Sequence, residues 1–500
     1  MIKILLIYPP FRLEQQFLYP PYGLLSIAAV LEKSGIQVEI LDLCVNRFTF
    51  IELKKEISNK DFDIVGMGGM VTVYYYIKFL SKYLKKEYPN IPIIAGGTVC
   101  SGSPDVIIRK TEIDVAVIGE AESIIVDLVR SCVDKKSLSS IPGIIYKHKS
   151  GLISRTKERE RISNLDKLPL PAYHLVDMGK YILNASIYGN KVKGIDRPVV
   201  VFSSRGCPFH CTFCYRNFGQ KVKRHSVQYV LDHMTFLEKK YNTKSFFFGD
   251  EIFVMNKKWV IEFCDRIIKE KRNYVLGSLY LRASYLDEKI LLKMKEAGFN
   301  IVTVGIESFF NPTLEEMNKG QSRKTIIKAI EAIKKCGLYI PSAQFLFGFK
   351  ADGIESMKEN IKMAKYLGLE NINFAIPCPY PGTYLYEMAK DSGQIKDEEE
   401  WLFELADRDV SNQIINMSDK TDDELKKIIE YGEDSIRMYF LRKKYFIFGS
   451  LLTIVQKIGR KFNIDIYWKI KELKDFFKGK RNRNDVYIKN EVLHLLGRSK

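Results

Sequence analysis

Three cysteines within eight residues carry the strongest chemical signal in this sequence. The segment Ser203-Ser204-Arg205-Gly206-Cys207-Pro208-Phe209-His210-Cys211-Thr212-Phe213-Cys214-Tyr215 spaces its thiols as Cys-x3-Cys-x2-Cys. It follows directly on Val199–Ser203, an apolar run that reads as a strand. Three thiolates on one loop suit an iron–sulfur cubane, whose irons are held by cysteine. A fourth thiolate is missing locally, so one iron keeps an open position for another ligand, as catalysis requires. The alternative is zinc, which in a structural site takes four closed ligands. His210 is the candidate fourth ligand, awkwardly placed inside the loop itself.

The other cysteines are scattered. Cys44, Cys132, Cys264 and Cys336 read as small buried hydrophobes, and Cys378 as part of a rigid Pro-Cys-Pro-Tyr-Pro-Gly-Thr loop. An odd total of nine without a secretion signal argues against a disulfide framework.

Elements must hold the cysteine loop in place. Residues 1–135 alternate apolar runs (Lys3–Tyr8, Gln37–Leu41, Asp63–Met67, Ile91–Ala95, Asp114–Ile118) with amphipathic stretches such as Gly23–Ser34 and Val73–Glu87. Buried runs alternating with helices mean βαβ units and a parallel sheet. Five such strands predict a flavodoxin-like doubly wound α/β domain. Residues 136–195 lose the rhythm and read as a linker. From 196 to 395 the alternation returns, with strands at Val199–Ser203, Ser245–Phe248, Val275–Ala283, Ile301–Gly305, Ile340–Phe347 and Asn371–Ile376. Six β/α units predict a partial or complete barrel of TIM type, whose chemistry gathers at the C-terminal ends of the strands. Residues 396–500 read as a charged helical region.

The chain has 500 residues, enough for two to four domains. No run of about 18 apolar residues appears, so a spanning helix is not expected. The apolar start reads as a buried strand rather than a signal peptide, and the expected compartment is the cytoplasm. The net charge is +18, and from Arg437 onward 17 Lys and Arg face 5 Asp and Glu. That tail suits an anionic surface, either as a peripheral membrane contact or as a basic helical cap on the barrel. No nucleic-acid module accompanies it, so nucleic-acid binding is not expected.

The cysteine motif, with Phe213 in its Cys-x3-Cys-x-aromatic-Cys form, resembles that of the radical S-adenosylmethionine (SAM) superfamily. The resemblance implies a [4Fe–4S] cluster on Cys207, Cys211 and Cys214 that binds SAM and cleaves it to a 5′-deoxyadenosyl radical. It further implies SAM contacts from Phe213, from Asp250 and Glu251 after the second barrel strand, from Arg282 after the third, and from Glu307 in Gly305-Ile306-Glu307-Ser308 after the fourth. The fifth-strand region departs from the family at Phe349-Lys350-Ala351-Asp352-Gly353, where many members carry a Gly-x-Pro-Gly-Glu turn. The N-terminal segments Tyr8-Pro9-Pro10, Tyr19–Leu25, Gly96-Gly97 and Gly119-Glu120-Ala121-Glu122 resemble the cobalamin-binding subgroup. That implies cobalamin contacts from Tyr8, Thr72, Gly96, Gly97, Gly119 and Glu120. No histidine precedes His148, so cobalt has no histidine ligand from this domain.

The activity this implies is a cobalamin-dependent radical C-methyltransferase. The alternatives are an oxidative cyclase like the anaerobic magnesium-protoporphyrin enzyme and a non-catalytic cobalamin and metal sensor. The implied partners are a small-molecule substrate, hydrophobic or lipid-like, and an electron donor of flavodoxin or ferredoxin type.

Overall fold

The computed structural model describes residues 1–10, 19–185, 194–407 and 415–444. Seven strands form the first sheet: β1 (Lys3–Tyr8), β2 (Gln37–Asp42), β3 (Ile64–Gly69), β4 (Ile93–Gly97), β5 (Val115–Val117), β6 (Ile144–Lys147) and β7 (Ile153–Arg155). Their order is β2-β1-β3-β4-β5-β6-β7, with the first five parallel. The β1 sequence KILLIY is central and buried over its middle four residues. Helices on both faces of a parallel sheet demand that kind of continuous apolar run. Crossover helices include Tyr22–Lys33, Phe50–Ser58, capped by a Thr49–Glu52 capping box, and Tyr74–Glu87.

The expected linker needs correcting. Residues 144–155 fold as a hairpin, β6 pairing antiparallel with β5 and β7 with β6. The sheet therefore continues past residue 135. The run Ile144-Ile145-Tyr146 covers the exposed edge of β5, and edges left open invite unwanted pairing. Gly143 precedes β6 and Gly151 lies in the turn between β6 and β7, both at positive φ, so the segment reads as loop composition.

The second half carries β8 (Val199–Val201), β9 (Ser204–Arg205), β10 (Lys223–Arg224), β11 (Ser245–Phe248), β12 (Val275–Leu281), β13 (Phe299–Val304), β14 (Ala343–Leu346) and β15 (Ile372–Ala375). Strands β8, β11, β12 and β13 form one parallel sheet in that order, and β14 pairs parallel with β15. Bridges Ile301↔Tyr339 and Glu307↔Phe345 join β13 to the β14 segment. The six expected strands thus curve into an arc with β8 and β15 at its ends, a partial barrel. Its outer helices start on side-chain caps: Ser226, Asn256, Asp287, Ser322 and Thr383 each accept a backbone N–H three residues on. The barrel core includes Phe246, Phe248, Phe263, Phe299 and Phe345, all fully buried.

The chain then returns to the first domain. Helix Glu398–Asp407 docks on it: Tyr74 donates to Glu399 at 2.6 Å, and the Tyr74 and Phe403 rings meet edge-on. Trp401, Leu402 and Leu405 join the apolar cluster built on Leu5, Val65 and Ile77. Helix Asp422–Lys444 packs instead on β15 and the helix Ile354–Tyr366. No helix among the described residues is long and apolar enough to cross a membrane. The basic tail beyond 444 lies outside the described residues.

Candidate active site

The cysteine loop is closed at its base by β9 and β10, which pair antiparallel. The Cys207 N–H donates to the Gly219 carbonyl at 2.9 Å, pulling the returning chain under the loop. Gly206 sits at φ +99°, and a Cβ there would stand 2.6 Å from the Lys221 carbonyl oxygen, so this position requires glycine. The far side docks on the turn after helix Asn311–Glu316: Thr212 N–H donates to the Met317 carbonyl at 3.0 Å, and Asn318 to the His210 carbonyl at 3.0 Å.

Cys207, Cys211 and Cys214 all line one cavity of about 980 Å³, which runs down the inside of the barrel. His210 does not line it. Its ring is exposed and its Nδ1 lies 2.8 Å from Arg216, and among the described residues no three His, Cys, Asp or Glu converge on a single-ion site. The loop geometry therefore does not suit closed zinc. Burial raises the Cys207 thiol, and the neighbouring Glu251 and Cys211 add to it.

The acidic pair after β11 divides into two roles. Glu251 lines the cavity and accepts the Gly206 N–H at 2.7 Å, with further backbone bonds from Asn217 and Phe218. It ties the cysteine loop to the barrel mouth. Asp250 does not face the cavity, which corrects the expectation that it binds SAM. It is 1% exposed and accepts from Ser203 Oγ at 3.0 Å and Ser204 Oγ at 2.6 Å. Burial raises its carboxyl, opposed by the charge of Arg224. The split arises where the chain bends just past β11, which ends at Phe248, so the two neighbours meet different surroundings.

Arg282 and Glu307 do meet at the mouth, joined by a residue absent from the sequence reading. Lys319 donates from Nζ to Glu307 Oε1 at 2.9 Å, and its backbone carbonyl accepts from Arg282. Its ammonium stands 5.6 Å from the Phe213 ring centroid, and the Arg282 guanidinium 3.5 Å from that of Phe209. The Glu307–Lys319 pair is nearly buried. A Cβ at Gly305 would stand 2.9 Å from Lys319 Nζ and 3.0 Å from Glu307 Oε1, so glycine makes room for the pair. Glu307 holds φ +63°, uncommon for a non-glycine residue. Nothing local singles out Lys319, since it lies in a turn between Asn318 and Gly320 that any polar residue could fill.

These residues fit a cluster with SAM. The buried Arg282 Nε has no hydrogen-bond partner among the described residues, and Arg282 lines the cavity; an unpaired guanidinium N–H beside a cavity suits a carboxylate.

In the first domain Tyr8, Thr72, Gly96, Gly97 and Gly119 lie at the C-terminal ends of β1, β3, β4 and β5, where doubly wound sheets take ligands. Gly97, at φ +86°, could not carry a Cβ, which would stand 2.5 Å from the Gly69 oxygen. Buried Thr72 Oγ1 has no partner among the described residues, which fits a polar ligand there. Glu120, expected as a cobalamin contact, also bonds to the cysteine loop. Its Oε1 accepts from Arg205 Nη1 at 2.7 Å, so the carboxylate is already engaged with the cysteine loop.

A cysteine-loop barrel joined to a ligand-binding doubly wound domain defines an iron–sulfur radical enzyme with a second cofactor domain. Family models match accordingly: the radical SAM superfamily over residues 201–364 and the B12 binding domain over residues 12–129. An uncharacterized methyltransferase of Pyrococcus horikoshii is 32% identical over 396 residues, covering 78% of this chain and 83% of that protein. The chain therefore belongs to the radical SAM superfamily, in its group with a B12-binding domain. An anaerobic magnesium-protoporphyrin IX monomethyl ester cyclase of Rubrivivax gelatinosus is 27% identical, covering 77% of this chain and 69% of that protein. Among solved structures, the radical SAM methyltransferase TsrM from Kitasatospora setae shares the fold at a TM-score of 0.61 and 19% identity, covering 79% and 77% of the two chains. The cobalamin-dependent SAM radical enzyme OxsB does so at 0.67 and 16%, covering 99% and 84%.

Proposed function

We propose that this enzyme is a cobalamin-dependent radical SAM methyltransferase acting on carbon of a small, largely apolar molecule. One observation carries the reading: Tyr19, Pro20 and Tyr22 of the N-terminal domain line the same cavity as the three cysteines. Groups held on the two domains would face one shared space, as methyl transfer to a substrate requires. The relative in Pyrococcus horikoshii, described as a methyltransferase, supports it.

When bound, the cluster with SAM supplies hydrogen-atom abstraction and cobalamin supplies methyl carriage. The protein's part is binding and orientation. Cys207, Cys211 and Cys214 would hold the cluster. Arg282 Nε would take the SAM carboxylate. Glu307, steadied by Lys319, keeps a second carboxylate oxygen for ribose hydroxyls. Thr72 and the Gly96-Gly97 turn would flank cobalamin. Apolar lining from Met178, Ile182, Leu279 and Ile301 excludes water from the interior and suits a hydrophobic substrate. The electron donor is proposed to be a flavodoxin or ferredoxin, and the basic tail is proposed to contact an anionic membrane surface.

The test is anaerobic reconstitution with iron, sulfide and hydroxocobalamin, followed by SAM, reductant and candidate substrates. S-adenosylhomocysteine and 5′-deoxyadenosine are expected in equal amounts, with product mass raised by one methyl group. Deoxyadenosine alone, with hydrogen lost or oxygen gained in the product, would establish the cyclase-type reading that the Rubrivivax relative favours.

A further inference from the structure

We infer that the cysteine loop is clamped at both ends to the two glycine loops of the B12-type domain, so that a ligand seated on those loops sets the geometry of the three thiols. The inference rests on the corrinoid reading of that domain.

The first anchor is Arg205, two residues before Cys207. Its fork reaches Glu120 Oε1 from Nη1 and Glu122 Oε1 from Nη2, both at 2.7 Å, with side chains 16% and 7% exposed. Burial alone would raise the Glu122 carboxyl, but the charge and hydrogen bond of Arg205 hold it below the usual range. Glu120 and Glu122 belong to the loop after β5 that starts at Gly119. A planar fork shared by two buried carboxylates tolerates little displacement, so movement of that loop passes to Arg205.

The second anchor is Tyr215, directly after Cys214. Its ring packs where Gly382 meets the first domain: a Cβ at Gly382 would stand 2.6 Å from the ring and 3.6 Å from Gly102 Cα, which brings the hydroxyl near Ser101. Ser101 is also the link between the two glycine loops. Its Oγ donates to the Gly97 carbonyl at 3.0 Å and accepts the Gly119 N–H at 2.9 Å. Gly97 and Gly119 are therefore joined through one hydroxyl, with Tyr215 packed beside it. On the barrel side the loop is held independently, through Glu251 at Gly206 and the Met317 carbonyl at Thr212. Arg205 and Tyr215 are thus positioning residues.

The full-length protein, reconstituted with iron and sulfide, would be exposed anaerobically to a colorimetric iron chelator, with and without hydroxocobalamin. The bound corrinoid is read from its visible spectrum. In the wild type, corrinoid is expected to slow iron release about fivefold or more, the lower end of ordinary coupling between sites. The variant Arg205→Gln/Glu120→Gln/Glu122→Gln keeps neutral hydrogen-bonding side chains at the first anchor, and Tyr215→Phe removes only the hydroxyl of the second. Both are expected to take up corrinoid yet lose most of the slowing; either one suffices if the other fails to fold. Undiminished slowing in a corrinoid-loaded variant would mean simple shielding and would overturn the clamp. So would unchanged iron release in a corrinoid-loaded wild type, which leaves the corrinoid reading intact. A wild type that never acquires the corrinoid spectrum removes both.

Discussion

Arg282 and Lys319 show how much depends on one buried polar atom. The free Nε of Arg282 makes this side chain the candidate SAM anchor. Arg282→Lys, which keeps charge but loses the fork, is expected to weaken SAM binding about tenfold or more, measured by equilibrium binding to the reconstituted protein, because a hydrogen bond to a charged group contributes about 1.5–3 kcal/mol. Lys319→Met leaves the Glu307 carboxylate buried without its ammonium. Breaking such a pair destabilises by about 3–5 kcal/mol, so the denaturant midpoint is expected to fall markedly. Asp250→Asn is expected to lower stability while leaving SAM affinity within about twofold, since the side chain is engaged behind the cavity wall. A large loss of SAM affinity in that variant would return Asp250 to the site.

At the scale of elements, helix Glu398–Asp407 fastens the barrel to the sheet domain. Trp401 buries its ring and donates Nε1–H to the Pro379 carbonyl at 2.9 Å. Trp401→Ala is expected to destabilise by about 3–5 kcal/mol, and limited proteolysis between the domains should accelerate with it. Unchanged proteolysis and stability would show that the helix is not the fastening. A second element, the start of helix Val227–Tyr241, is held by His225, whose Nδ1 lies 3.0 Å from Asp166. Burial pulls the imidazole down to about 4, against the raising effect of Asp166. The folded state therefore keeps a neutral ring where the unfolded chain, near 6.5, binds a proton. Stability is expected to fall as pH drops from about 6.5 toward 4, by up to about 3 kcal/mol from this group. Melting curves from pH 7 to 4.5 check it, and His225→Gln should flatten the slope.

For the whole molecule, the sequence determined a great deal. The cysteine spacing named the cluster loop, and the alternation of apolar runs with amphipathic stretches located five sheet strands and six barrel strands. Helix periodicity, strand alternation and a contiguous metal motif are local properties, readable without contacts. Only the tertiary structure decided which polar residues face the cavity. Glu251 and Asp250 are neighbours in sequence with opposite surroundings; Lys319 entered the site from an ordinary turn; Glu120 met Arg205 from 85 residues away. The hairpin at 144–155 escaped because its strands are four and three residues long, too short to show a period. The physical reason is the same throughout. A side chain's partner is set by which strands and loops the fold brings together, and buried charges settle on whatever opposite charge lies within reach. Such pairings are long-range facts that no local pattern encodes.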